Sequence, residues 1–261
     1  MKLTVIIPAA GKSTRFEGPV SKLEQDLGGR PVLQRTVEVF SKHPEVDHII
    51  VAGPHEGFEE FKVRHGDKLG LLGVTLCRGG VTHRWETVRA ALDEVPEDST
   101  HIAVHDAARP CVPLDLLERV LEAASKYPAV IPAIAVSDTL KRVSAEATKD
   151  VDIDPLDAIL GDAGKTLTDV RRVEATLDRA NVMAVQTPQV FEAEILRRAY
   201  AQSDLTSTDD AGLVERLGVE VTVVEGDPRN LKITRPVDLE LARAILKVKM
   251  KGDDKPLHKR F

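Results

Sequence analysis

The sequence predicts an α/β fold: a doubly wound, mostly parallel sheet with one irregular excursion. Three observations predict it. Short apolar runs alternate with helical patterns, several of those runs are apolar throughout, and the rhythm breaks once, in the middle of the chain. A run without polar alternation suits a strand covered on both faces, as in a parallel sheet flanked by helices.

The elements follow in order. Strands are expected at 3–7, 48–52, 74–77, 102–105 and 130–136, and helices between them at 32–41, 86–92 and 114–125. This is the βαβ rhythm of an open sheet, whose ligands bind beyond the C-terminal strand ends. From about 137 to 180 the chain is polar, rich in Asp and Lys, and weakly periodic, which predicts an arm or a long inserted loop. Regular patterning returns with strands at 182–186, 219–224 and 231–233 and helices at 192–201, 209–217 and 237–247. Residues 1–248 are therefore expected to form one domain, and 249–261 a charged tail.

Composition narrows the function classes. Lys and Arg number 36 against 42 Asp and Glu, a net charge of −6, so a phosphate site must be a local cluster of cations. Aromatics are 3%, too few for a platform that stacks single-stranded nucleic acid. Two cysteines make no disulfide framework and fit a reducing cytosol. No apolar run is long enough for a signal-peptide core or a membrane span, so a cytoplasmic protein is expected.

Three loops carry candidate chemistry. After the first strand, Pro8-Ala9-Ala10-Gly11 lets a ligand approach the backbone, and Arg15 and Lys22 add positive charge. Gly11-Lys12-Ser13 suggests a P-loop, but that motif needs glycine where Ile6 stands, and the dinucleotide pattern G-x-G-x-x-G is absent. The residues alone leave phosphate binding and a plain strand-to-helix turn equally open. After the fourth strand, Asp106 is either a turn residue or a ligand of Mg²⁺, and Arg109 pairs with a phosphate or with Asp106. His105 reads as a hydrogen-bonded structural residue. Lys232, in a short apolar segment, faces solvent or the site. Asp209, Asp210 and Asp238 read as helix-capping or first-turn residues.

Taken together, the segments resemble one family. Pro8-Ala-Ala-Gly11, Ser21-Lys22, Gly79-Gly80, His105-Asp-Ala-Ala-Arg-Pro110, Asp138-Thr-Leu-Lys141, Thr187-Pro-Gln189, Thr208-Asp209 and Asn230-Leu-Lys-Ile-Thr-Arg-Pro236 occur in the order seen in 2-C-methyl-D-erythritol 4-phosphate cytidylyltransferases. The resemblance spans about 3 to 246. It implies a Rossmann-like nucleotidyltransferase fold with a projecting arm, CTP as donor, a polyol phosphate as acceptor, Mg²⁺, and a homodimer formed through the arm. It implies catalytic roles for Arg15, Lys22 and Lys232, and nucleotide contacts from Ala10, Gly11, Gly79, Gly80, Thr87 and Asp106. Asp106 would also meet the metal. Arg109, Thr139, Arg179 and Thr208 would bind the acceptor, Thr139 and Arg179 from the partner subunit.

Two stretches depart from the family pattern. The run from Gly79 to Val88 is one residue longer than usual and has Thr87 where serine is common. Trp85 within it either packs on the base or anchors the helix. The arm between Lys141 and Arg179 is also enlarged. No Ser, Cys or His triad spacing is present, and none is needed where a phosphate monoester is the nucleophile. Rival readings are transfer to another polyol phosphate such as ribitol 5-phosphate, and a nucleotide-binding protein without turnover. A dehydrogenase lacks its dinucleotide loop.

Overall fold

The structure is a computed structural model that describes residues 1–11, 16, 20–150 and 168–248. The chain divides into two compact units, Met1–Ile134 with Val185–Phe261, and Ala135–Ala184.

The first unit begins with β1 (Leu3–Pro8), α1 (Val32–Ser41), β2 (Val46–Gly53), α2 (Phe58–Gly70) and β3 (Val74–Arg78). It continues with α3 (Arg84–Leu92), β4 (His101–Val104), α4 (Leu114–Ala124) and β5 (Ala129–Ala135). In the second unit lie β6 (Lys141–Val143), β7 (Thr148–Asp150), β8 (Thr168–Val170) and β9 (Val173–Thr176), and β10 (Met183–Val185) runs back to the first. There the chain forms β11 (Gln189–Glu192), α5 (Ala193–Tyr200), α6 (Ala211–Glu215), β12 (Thr222–Glu225) and α7 (Pro236–Leu246).

In the sheet of the first unit the strands run β5-β11-β4-β1-β2-β3, with β12 also beside β5. β1 pairs in parallel with β2 and with β4, and β2 with β3. Strand order therefore reverses between β1 and β4, and a crevice opens beyond the carboxyl ends of such neighbours. β11, inserted between β4 and β5, runs antiparallel to both.

The pleat divides the core into two layers. Val5, Ile7 and Val51 pack with Leu33, Val37 and Phe40 of α1 and Leu117, Val120 and Leu121 of α4. Ile6, Ile50 and Val104 turn the other way, onto Val88 and Ala91 of α3 and Leu196 and Ala199 of α5. This is the doubly wound arrangement that the apolar runs predict. In α4 the buried positions Leu116, Leu117, Val120, Leu121 and Ala124 form one helical stripe.

Two expectations need correction, and two elements lie where none was predicted. Residues 231–233 form no strand: Ile233 is buried in the core, and its N–H donates to Ala108 O at 2.8 Å without a ladder on either side. α2 was not expected, because its sequence holds two glycines and buries only Phe58, His65 and Leu69. β11 went unread because four residues are too few to show a period. The helix expected at 209–217 shrinks to Ala211–Glu215.

In the second unit β6 pairs with β9 and β7 with β8, both antiparallel. The polar stretch thus folds locally as hairpin ladders rather than as part of the parallel rhythm. None of the described helices is long and apolar enough to cross a membrane.

Candidate active site

Three strand ends build the site. β1 delivers Pro8 to Gly11, with Ala9 N–H held by Ala52 O at 2.8 Å. Arg15 lies outside the described residues. Phe16 and Leu23 are buried in the α1-side core. Lys22 lines the cavity in front of β1.

β3 delivers Gly79 and Gly80. A Cβ on Gly79 would stand 2.6 Å from Gly53 O, and one on Gly80 2.1 Å from Glu86 Cβ, so neither position has room for a side chain. Both amides are already used: Gly79 N–H donates to Gly53 O at 2.8 Å and Gly80 N–H to Thr87 Oγ1 at 3.2 Å. Val81 and Thr82 donate their N–H groups to Glu86 Oε2 at 2.8 and 2.9 Å. The loop is thereby wound against the first turn of α3. Trp85 packs on the α3–α5 core and stacks at 5.8 Å on His83, as a helix anchor would.

β4 delivers His105 and Asp106. His105 is fully buried, with Nε2 3.0 Å from Arg109 O and Nδ1 3.1 Å from Thr187 Oγ1. A carbonyl only accepts, so Nε2 carries the proton and Nδ1 accepts from the Thr187 hydroxyl. Thr187 Oγ1 in turn accepts Asp106 N–H at 3.0 Å. Burial pushes the His105 pKa down to about 4. Its role is structural, as expected.

Asp106 is the hub of the charges. Its Oδ2 lies 2.8 Å from Lys232 Nζ and 3.4 Å from Arg109 Nε, and its Oδ1 3.6 Å from Arg84 Nε. Burial alone would raise its pKa, but Arg84, Lys232 and Arg109 outweigh burial and hold the carboxyl well below the usual range. Arg109 Nη1 also donates to Asn230 O at 2.6 Å, and buried Asn230 donates to Thr187 O at 2.8 Å. These bonds bring the Lys232 segment onto the β4 loop.

Nothing in the sequence singles out Arg84 beyond its place in the polar run after Gly80. Its Nη2 lies 2.7 Å from Asp210 Oδ2. Asp210, expected to cap a helix, makes no side-chain cap and is fully buried. Its neighbour Asp209 takes the capping part, with Oδ1 accepting Gly212 N–H at 3.1 Å.

Two cavities meet at this hub. The first, about 550 Å³, is lined by Ala10, Gly11, Lys22, Gly80 and Thr87 among others. The second, about 290 Å³, is lined by Arg109, Gln186, Thr187 and Thr208 among others. Arg84, Asp106 and Lys232 line both and form their common wall. Gly79 stands behind the first cavity, against Thr87. Thr139 and Arg179 belong to the second unit, where Thr139 is exposed and Arg179 Nη1 donates to Ser137 O and, at 3.4 Å, to Val136 O. The described residues contain no group of three or more His, Cys, Asp or Glu placed to hold a metal ion.

Known proteins resemble this chain over nearly its whole length. The family profile described as IspD, 2-C-methyl-D-erythritol 4-phosphate cytidylyltransferase, matches residues 3–154 and 156–248. A protein of Symbiobacterium thermophilum named 2-C-methyl-D-erythritol 4-phosphate cytidylyltransferase is 40% identical over 94% of this chain and 92% of its own length. One of the same name from Rhodococcus jostii is 39% identical over 94% and 95%. Among solved structures, the enzyme of that name from Thermus thermophilus superposes with a TM-score of 0.68 at 30% identity, covering 95% of this chain and 100% of that one. The Francisella tularensis enzyme superposes with a TM-score of 0.71 at 29% identity, covering 94% and 100%. This chain belongs to the 2-C-methyl-D-erythritol 4-phosphate cytidylyltransferase family.

Proposed function

We propose that the protein joins CTP to 2-C-methyl-D-erythritol 4-phosphate, releasing pyrophosphate, in non-mevalonate isoprenoid precursor synthesis. The observation that carries this reading is the common wall: Arg84, Asp106 and Lys232 stand between a larger and a smaller cavity. A transfer between two bound phosphates needs such an arrangement, with cations where the two reactants meet.

The donor occupies the larger cavity. Ala10 and Gly11 admit the nucleotide close to the backbone, Gly79 and Gly80 keep the opposite wall thin, and Thr87 lies under the base. Lys22 and Arg15 neutralise the triphosphate. The acceptor phosphate occupies the smaller cavity beside Arg109 and Thr208. Its oxygen attacks the α-phosphorus in line and the bond to pyrophosphate breaks. A phosphate monoester is largely dianionic at neutral pH, so no side chain need abstract a proton. Catalysis is positioning and charge stabilisation. Lys232, on the shared wall, meets the charge that develops between the two phosphates.

Mg²⁺ suits this site as an ion carried mainly by the nucleotide. It commonly takes one or two carboxylates together with substrate phosphates and water. Asp106 is the carboxylate on the common wall, and its Oδ1 is the less engaged oxygen, with Arg84 Nε at 3.6 Å. Bound there, the ion would neutralise triphosphate charge.

Thr139 and Arg179 reach the acceptor from the second unit of a partner copy in a homodimer. Free, buried Cys77 and Cys111 suit a reducing compartment, and we place the enzyme in the cytoplasm.

The test is pyrophosphate release from CTP with 2-C-methyl-D-erythritol 4-phosphate or ribitol 5-phosphate, with the CDP-linked product identified by mass. Release with the first acceptor is expected. Preference for ribitol 5-phosphate would reassign the acceptor, and no release with either would leave a binding protein.

A further inference from the structure

Arg84 meets two carboxylates of different character. Asp106 lines both cavities, while Asp210 lines neither and has no exposed surface. The contact with Asp210 Oδ2 at 2.7 Å is a close ion pair rather than an aligned hydrogen bond. Tyr200, itself buried, donates its hydroxyl to Asp210 Oδ1 at 2.5 Å. The run Tyr200–Asp210–Arg84–Asp106–Lys232 therefore links α5, the start of α6, the start of α3 and the β4 loop to the lysine between the cavities.

A guanidinium is planar, and its N–H groups point in fixed directions. One paired closely with a buried carboxylate is held near it by charge, and a second carboxylate 3.6 Å from its Nε lies in the same field. Lys232 binds the other oxygen of that carboxylate, at 2.8 Å. Burial alone would lower the Arg84 pKa, but Asp210 and Asp106 keep its charge in place. Thr208, two residues before Asp210, is tied to the same anchor through the backbone.

We propose that Arg84 is a positioning residue for cytidylyl transfer: anchored on the buried Asp210–Tyr200 pair, it holds the Asp106 carboxylate by charge and so helps set the place of the Lys232 ammonium on the wall between the cavities. The inference rests on the cytidylyl-transfer reading. Its distinctive consequence is that Asp210, which lines neither cavity, controls turnover.

The experiment measures kcat and KM for CTP in the full-length enzyme and in Asp210→Asn, Tyr200→Phe, Arg84→Lys and Arg84→Met, with folding checked by circular dichroism. Asp210→Asn keeps shape and removes charge. Its kcat should fall about tenfold or more, as for a displaced catalytic group, with KM for CTP within about twofold. Arg84→Lys should recover part of what Arg84→Met loses, because lysine can still pair with one carboxylate. A folded Asp210→Asn enzyme with parental kcat overturns the inference, and so does an Arg84→Lys enzyme no faster than Arg84→Met. If Asp210→Asn does not fold, Tyr200→Phe decides. A kcat lowered about threefold supports the inference, in line with the loss of roughly one hydrogen bond, and an unchanged one rejects it. A parent enzyme that releases no pyrophosphate sinks the transfer reading and this inference together; an active parent matched by its variants sinks the inference alone.

Discussion

Lys232 Nζ stands 2.8 Å from Asp106 Oδ2, which joins the segment before α7 to the carboxyl end of β4. The ammonium is partly exposed, at 38% of its side-chain surface, and the carboxylate is at 12%. Lys232 is thus fixed from within and open toward both cavities.

Turnover should depend on this lysine more than stability does. Lys232→Ala and Lys22→Ala are each expected to lower kcat by at least about a hundredfold, as for removal of a key electrostatic group. Steady-state pyrophosphate release measures it. Near-parental turnover in either variant removes that lysine from the chemistry.

Two glycines should separate packing from ligand approach. Gly11 has nothing within 4 Å of an added Cβ, whereas Gly80 meets Glu86 Cβ at 2.1 Å. Gly80→Ala should cost roughly 1–3 kcal/mol of stability through overpacking. Gly11→Ala should leave the urea midpoint unchanged and raise KM for CTP, because its methyl group points into free space beside the nucleotide. Equal effects of the two on the midpoint would contradict this distinction.

Acid should destabilise the fold well before the carboxylates titrate. His105 is held neutral, with its pKa lowered from 6.5 to about 4 by burial. The unfolded chain takes up that proton more readily, so the stability attached to neutral His105 is complete above about pH 6.5 and is lost as the pH falls toward 4. Burial lowers His65 and His101 in the same direction. The urea midpoint should fall between pH 7 and pH 5, and fall less in His105→Asn. A flat midpoint in the parent would refute the assignment.

The partner contribution can be read from mixed dimers. Lys22→Ala and Arg179→Ala should each be nearly inactive alone. If Arg179 acts across the dimer, an equimolar mixture of reassembled subunits should regain about a quarter of parental activity, since half the dimers are mixed and each has one intact site. If Arg179 acts within its own chain, the mixture stays inactive.

Much of the fold was legible because burial leaves a periodic trace. Leu3–Pro8 and Val32–Ser41 fall where apolar run and helical stripe predict them. β11 and α2 were missed because one is too short to show a period and the other buries few residues. The 231–233 segment looked like a strand because Leu231 and Ile233 are apolar, yet its buried isoleucine packs without a ladder. In the site, loops after β1 and β4 were recognisable from small residues and charge at strand ends. Asp210 and Arg84 were not, because a buried ion pair and a solvated pair of charges read alike in a sequence.

Residue order alone therefore determined the α/β class, the strand-end loops that line the larger cavity, and the family motifs that point to cytidylyl transfer. Tertiary structure decided that Asp209 caps while Asp210 turns inward, and that Arg84, Asp106 and Lys232 form one wall between two cavities. The reason is physical: hydrophobic periodicity is local, repeating within a few residues, whereas the pairing of charges depends on which distant segments the core brings within a few ångströms.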